Sequence, residues 1–169
     1  MKVHYIPVDS VSISKIRDGA TQYRVLMNPQ PKENAKFISF YVHDGEFHIC
    51  DYNEGSVLGL REPWAETEEG IVYMADGYKG ATKPSFQLKK EHVRFYAVIK
   101  KISAERLQGV KKRDLKKNLC ADVDEFRDMW KETIKFKART CKKYGVPYKW
   151  EDNPWVWVLD IERCEKPLE

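Results

Sequence analysis

The sequence lacks paired cysteines, long apolar runs and nucleotide-triphosphate motifs, and each absence excludes a class of protein. The four cysteines of this 169-residue chain include no C-x-x-C pair, which argues against a structural zinc knuckle and a disulfide scaffold. No run approaches the roughly 18 apolar residues of a membrane span, and no apolar signal core begins the chain. The glycines form neither G-x-G-x-x-G nor a P-loop. We expect a soluble, cytoplasmic protein without a cofactor, a metal or a membrane partner.

What is present is enough apolar mass for one folded domain, predicted to span residues 1–169. Hydrophobic residues make up 42% of the chain and aromatic residues 12%. Residues 1–78 carry 7 basic and 12 acidic side chains, residues 79–149 carry 21 and 8, and residues 150–169 carry 2 and 6. The central block is typical of a surface that binds a polyanion such as nucleic acid. Ordinary solvated helix faces are the alternative.

Capping, turn and alternation signals predict strands interleaved with a few helices. Pro154 precedes a run that is apolar on both faces, which predicts a central strand. Ser10 is the predicted cap of the first helix, and Asp122 opens a strong one. The predicted helices cover residues 10–18, part of 105–118 and a segment from Asp122, and the predicted strands cover 57–62, 71–75, 92–103 and 155–161. This pattern predicts an α+β fold with a curled or barrel-like sheet.

The clearest hairpin signal is Asp44-Gly45, which is typical of a two-residue turn. This turn would pair Val42 with Phe47 and Phe40 with Ile49, which places these four residues on a core face. The other face would then hold Tyr41, His43, Glu46, His48 and Cys50. The second face invites a metal interpretation. Its spacing matches no closed zinc pattern, so we expect a wet face without a ligand.

Four sequence blocks occur in a fixed order along the chain. They are I-R-D-G-A-T-Q-Y-R with N-P-Q-P, G-S-V-L-G-L-R-E-P-W, the set Y-M-A-D, K-P-S-F-Q and E-R-L-Q, and N-P-W-V-W-V. The first block resembles G-R-K-T-x-T-R-R with K-P-Q-P of ASCH domains, and the second resembles their G-D-x-L-W-V-R-E-T-W. The third set resembles their Y-x-A-D, W-x-P-S-I-H-M and E-R-L-Q. The fourth block resembles their closing strand. These domains belong to the PUA-like superfamily, and the chain is most similar to the longer members found in phages and prophages.

The resemblance implies a PUA-like curled β-barrel of five to seven strands, flanked by helices, with a cleft between the first helix and the barrel. Related domains bind RNA or modified nucleotides, and one class hydrolyses N4-acetylcytidine with a lysine, a threonine and a glutamate. At those three positions this sequence has Ala20, Tyr23 and Asn118. Alanine has no amine and asparagine does not titrate, so the amidohydrolase chemistry is not expected here.

The candidate binding residues fall into groups. In the cleft, an arginine could hold phosphate and an aromatic ring could stack on a base, although an ion pair and a core tryptophan are the alternative. The cleft group is Tyr23, Arg24, Arg61, Glu62 and Trp64. The lysine group is Lys83, Lys89 and Lys90, and the helix stripe is Arg127, Lys131, Lys135 and Arg139, each four residues after the last. A further cluster of five basic residues lies within 111–117.

Three functions follow as hypotheses. The first is a non-catalytic module that binds RNA or another nucleic acid. The second is a small hydrolase of a modified nucleoside or RNA, with Tyr23, Arg24, Glu62 and Asp114 as its actors. The third is a phage protein that binds a host protein, in the host cytoplasm.

Overall fold

The fold is built on one five-stranded sheet, to which three helices and two smaller sheets are added. The computed structural model describes residues 2–39, 41–140 and 149–168, apart from the side chains of residues 138–140. The helices are α1 (Ser10–Arg17), α2 (Lys112–Lys117) and α3 (Val123–Thr140). The strands are β1 (Val3–Pro7), β2 (Gln22–Leu26), β3 (Lys36–Ile38), β4 (Tyr41–His43), β5 (Phe47–Ile49), β6 (Val57–Arg61), β7 (Trp64–Thr67), β8 (Gly70–Tyr73), β9 (Phe95–Arg106) and β10 (Trp155–Cys164).

The main sheet has the strand order β1-β6-β9-β10-β2. β1 and β6 are parallel, and the other neighbours are antiparallel. Strands β3 to β5 form a second sheet, and β7 and β8 form a third. The predicted α+β class is therefore confirmed, but the barrel is not, because within the described ranges the sheets remain open. In the same ranges, none of the helices combines the length and the apolar character needed to cross a membrane.

β10 lies inside the main sheet, as the apolar run after Pro154 predicts. It pairs with β2 on one side and with β9 on the other. Trp157 and Leu159 belong to the same apolar core as α1, whereas Val156 and Val158 belong to the core under α3. Burying each such side chain contributes about 1.5–3 kcal/mol. This one strand therefore joins the two main cores.

The capping of α1 differs from the prediction by one residue. Asp9, not Ser10, is the N-cap, and its Oδ1 accepts a hydrogen bond from Ser12 N at 2.9 Å. Its Oδ2 accepts from Ser12 Oγ at 2.7 Å and from the Thr133 hydroxyl on α3 at 3.0 Å. Because a carboxylate accepts stronger hydrogen bonds than a hydroxyl, the buried Asp9 both starts α1 and fixes it to α3.

The hairpin of β4 and β5 has a different register from the predicted one. Val42 pairs with His48, so the turn contains residues 44–46 rather than two residues. The predicted pairing of Val42 with Phe47 is wrong, since Val42 is fully buried whereas Phe47 is 67% exposed. One additional turn residue moves every side chain of β5 to the opposite face. Phe40 lies outside the described residues.

The same shift divides the candidate metal residues. His43 lies on the outer face with the exposed Ile49, and His48 lies on the inner face with the buried Val42. Cys50 is itself buried. Within the described segments, no three His, Cys, Asp or Glu side chains are grouped closely enough to hold a metal ion.

α3 begins where the capping signal predicts. Asp122 Oδ1 accepts a hydrogen bond from Glu125 N at 2.8 Å. Phe126 and Trp130 are buried, whereas Val123 is 41% exposed. The predicted strands over 57–62, 71–75 and 92–103 appear as β6, β8 and β9. The helix predicted within 105–118 is limited to α2, because β9 continues to Arg106.

Candidate functional site

The predicted cleft beside α1 is filled by the protein's own side chains. Tyr23 and Arg24 are only 6% and 4% exposed. They border an interior cavity of about 20 Å³, which has room for no more than one water molecule. Arg24 Nη2 donates to Glu105 Oε1 at 2.8 Å and Nη1 donates to Gln22 Oε1 at 2.5 Å, while the guanidinium lies 5.0 Å from the centre of the Phe126 ring. Arg24 is therefore engaged inside the protein.

The three positions that the resemblance equates with the amidohydrolase residues line this same small cavity. They are Ala20, Tyr23 and Asn118, which come from the end of α1, from β2 and from the end of α2. The amide of Asn118 is committed, because Nδ2 donates to Gln22 Oε1 at 3.0 Å. Burial, reinforced by the charge of Asp9, raises the pKa of Tyr23. The phenol therefore stays protonated and does not act as a base near neutral pH.

The residues that the hydrolase hypothesis requires are all buried, and Arg24, Glu62 and Asp114 already have hydrogen-bond partners inside the protein. Glu62 is fully buried and accepts two hydrogen bonds from Arg94, at 3.1 and 2.8 Å. Burial raises the pKa of Glu62, although Arg94 opposes the shift. Asp114 accepts from Gln22 Nε2 at 3.3 Å and from the backbone at the start of α2. Glu62 and Arg24 thus belong to different bonding networks, and neither is presented to solvent as a reacting group.

Trp64 belongs to the core, which is the alternative raised from the sequence. It is 7% exposed, and its indole Nε1 donates to the Pro84 carbonyl at 3.3 Å. Lys83 crosses over it, with Nζ 4.9 Å from the ring centre and 3.3 Å from Glu66 Oε2. The indole therefore packs against the 83–85 segment, and its ring is not open for stacking on a base.

Arg61 is the one cleft residue that the structure places at the surface with other cations. Its guanidinium carbon lies 5.4 Å from the centre of the Tyr5 ring, and Lys90 Nζ lies 5.1 Å from the same centre. Arg61 Nη1 also donates to the Phe86 carbonyl at 3.1 Å, and the Phe86 side chain is 50% exposed. We name this set, Tyr5, Arg61, Phe86 and Lys90, the Tyr5 platform.

The Tyr5 platform combines two features that single-stranded nucleic acids require. Cations attract the phosphates, and flat groups stack on bases. Lys89 follows next to the platform in the chain and is exposed, 3.9 Å from Glu91 Oε1. Tyr5 and Phe86 are missing from the site predicted from the sequence, because no local pattern links β1 to the 85–90 segment. The one sequence signal for this site is Phe86 itself, an aromatic residue in a polar stretch.

The helix stripe is less positive than its spacing suggests. Each described basic residue pairs with an acid three positions earlier: Arg127 with Asp124 at 3.0 Å, Lys131 with Asp128 at 3.4 Å and Lys135 with Glu132 at 2.7 Å. Residues 123–137 contain four basic and four acidic side chains. The side chain of Arg139 lies outside the described part. As far as it is described, the stripe is an ordinary solvated face with little net charge.

A larger hollow lies beside the start of α1, and we name it the α1 hollow. Its volume is about 290 Å³, just below the roughly 300–1,000 Å³ of small-molecule sites. It brings together residues from five separate parts of the chain. They are Asp9, Ser10 and Val11 at α1, Thr82, Lys83, Pro84 and Ser85 in the following loop, and Glu132, Lys135 and Phe136 on α3, with Pro63 and Met74. Lys83 and Lys135, from two predicted basic groups, therefore meet at one site.

Comparison with known proteins adds no assignment, since no family model, no curated protein and no solved structure matches this chain.

Proposed function

We propose that the protein is a non-catalytic nucleic-acid-binding module of the PUA-like type, with single-stranded RNA as its preferred ligand. The Tyr5 platform carries the proposal. It combines two cations, Arg61 and Lys90, with a half-exposed phenylalanine at one surface. Base stacking on an aromatic group is worth about 1–3 kcal/mol, and it tolerates any base.

The interior cavity supports the non-catalytic part of the proposal. A shared fold would bring the positions of Ala20, Tyr23 and Asn118 together, and they do line one cavity. The side chains at these positions supply neither an amine nor a carboxylate, and about 20 Å³ does not admit a nucleoside. The ligand surface is therefore better sought outside this cavity.

The test is binding of a fluorescent single-stranded RNA of about 12 nucleotides, measured by anisotropy at low and at moderate salt. Phe86→Ala and Lys90→Ala are each expected to weaken binding by about tenfold at low salt. Lys131→Ala is the matched control, because Lys131 is an exposed lysine that pairs with Asp128 on α3. It is expected to change the affinity less than twofold.

Absence of RNA binding at low salt would overturn the proposal, as would equal binding by all three variants. A matched single-stranded DNA measures the RNA preference. Capture of a protein that remains bound after nuclease treatment, together with no RNA affinity, would favour the protein-binding alternative.

A further inference from the structure

The α1 hollow is lined by residues of the first helical turn, whose N–H groups have no hydrogen-bond partner among the described residues. Ser10 and Val11 are the first residues of α1, and the N–H groups of a first helical turn have no acceptor within the helix. Asp9 accepts from Ser12 N, which leaves the two earlier amides directed out of the helix start. These amides coincide with the positive end of the helix dipole, where anions bind favourably.

A second and independent donor belongs to a residue that lines the same hollow. Ser85 lines the α1 hollow and is fully buried, and its hydroxyl has no hydrogen-bond partner among the described residues. An unpaired buried hydroxyl costs roughly 1–3 kcal/mol. A ligand oxygen that accepts a hydrogen bond from the Ser85 hydroxyl would account for this unpaired group.

Two lysines from different elements also line the hollow, and each is paired with an acid, since Lys83 Nζ lies 3.3 Å from Glu66 Oε2 and Lys135 Nζ lies 2.7 Å from Glu132 Oε1. Lys83 approaches from the loop and Lys135 from α3. The carboxylates nearby are already engaged, since Asp9 accepts three hydrogen bonds and Glu132 lies 2.7 Å from Lys135 Nζ. The donors that stay available are therefore the first-turn amides and the Ser85 hydroxyl, and the two lysines can reach an anion only in exchange with Glu66 and Glu132.

We propose that the α1 hollow binds the phosphomonoester group of a nucleotide. The group belongs either to a free nucleoside monophosphate or to the phosphorylated end of a strand. A phosphomonoester carries a charge of about −1.5 to −2 at pH 7 and three acceptor oxygens, which suits amide, hydroxyl and ammonium donors together. About 290 Å³ holds one nucleotide at most, so a strand would have to end there. For a strand, the inference rests on the proposed function, because the Tyr5 platform would hold the nucleotides that follow.

The decisive substitution is at Ser10, the first helical residue. Ser10→Pro removes its N–H, and proline is favoured at this helical position. Asp9, which would precede the proline, already has the extended conformation that proline requires of its neighbour, with φ −70° and ψ 158°. Ser10→Ala is the matched control, because it removes the hydroxyl and keeps the N–H.

The probes are two single-stranded RNAs of six nucleotides and identical sequence, one with a 5′-phosphate and one with a 5′-hydroxyl, and the four nucleoside 5′-monophosphates. The full chain is expected to bind the phosphorylated strand about tenfold more tightly. Ser10→Pro and Lys83→Met are expected to abolish that difference, whereas Ser10→Ala keeps it. Ser85→Ala is expected to reduce the difference while leaving Tm unchanged or higher, which a purely structural serine would not do.

The outcomes separate this inference from the proposed function. Equal affinity for both strands, with loss on Phe86→Ala, would overturn the phosphate site and leave the nucleic-acid module standing. Binding of a monophosphate without any strand binding would support the site for free nucleotides and overturn the module. A 5′-phosphate preference that survives Ser10→Pro would also overturn the site.

Discussion

Arg94 holds the buried Glu62 through two parallel hydrogen bonds, Nε to Oε2 at 3.1 Å and Nη2 to Oε1 at 2.8 Å. The other side of the same guanidinium bonds Asp76, with Nη1 2.6 Å from Oδ2. Arg94 also lies 3.7 Å from the centre of the Tyr73 ring. Because all of these contacts are internal, this arginine joins the end of β6 to the segment after β8 and lies outside the proposed nucleic-acid surface.

A pH dependence follows from the Glu62–Arg94 pair. Burial raises the pKa of Glu62 above its ordinary value of 4.5. In this situation the folded protein holds the proton more tightly than the unfolded chain. The contribution of Glu62 to stability is therefore fully present below pH 4.5 and is lost as pH rises through the folded pKa. Denaturant unfolding of wild type and Glu62→Gln at several pH values should show wild type losing stability relative to the variant as pH rises. A constant difference would contradict the raised pKa.

Arg24 is expected to matter for stability and not for RNA binding. Arg24→Met leaves Glu105 and Gln22 without their donor inside the protein, which costs about 3 kcal/mol of unfolding free energy. The variant that remains folded should bind RNA with wild-type affinity. Urea unfolding and anisotropy on the same sample test both parts. A selective loss of RNA affinity would return Arg24 to the ligand surface.

Asp9→Ala should destabilise the protein by about 2 kcal/mol. The substitution removes the cap of α1 and leaves the Thr133 hydroxyl without its acceptor. Ser10→Ala, one residue further on, is expected to have almost no effect, because the Ser10 side chain makes no hydrogen bond at the helix start within the described part of the chain. Thermal unfolding of the two variants distinguishes Asp9 from Ser10 as the cap.

The register of the hairpin can be tested with two serine substitutions. Val42→Ser places a hydroxyl in the core and should cost about 3 kcal/mol, whereas Phe47→Ser should change stability by less than about 0.5 kcal/mol. The reason is that Val42 is fully buried while Phe47 is 67% exposed. Similar losses for both variants would favour the two-residue turn.

The salt dependence of RNA binding should identify the cations that meet phosphates. Each phosphate contact on a single strand contributes a slope of about −0.7 to log K against log salt. Lys90→Ala should reduce the magnitude of the slope by about this amount, and Lys131→Ala should leave it unchanged, since its charge is balanced by Asp128. Equal slopes for the two variants would contradict this prediction, because Lys90 and Lys131 would then not differ in their contact with phosphates.

The sequence predicts most of the elements because their signals are local. The central position of β10 follows from an uninterrupted apolar run, and the start of α3 from the capping signal at Asp122. The hairpin register does not follow, because Asp44-Gly45 is compatible with turns of two or three residues. The tertiary packing decides between them, because it buries Val42 and leaves Phe47 67% exposed.

The candidate site is less predictable, since charge spacing along a helix does not reveal which acids lie beside the bases. Lys135 is paired by Glu132, a residue that the stripe pattern leaves out. Tyr5 and Lys90 meet only because β1 packs beside the segment around Ser85–Gln87. Such contacts depend on tertiary structure, which is why Arg61 could be named from the sequence and its aromatic neighbour could not.

The interior position of β10 has a consequence for synthesis of the chain. The ribosome makes residues 155–164 after every other described strand, yet β2 and β9 both depend on them for their inner hydrogen bonds. Until then, a nascent chain presents two unpaired strand edges, which are templates for aggregation. Newly made molecules should therefore rely on chaperones until translation has passed Cys164.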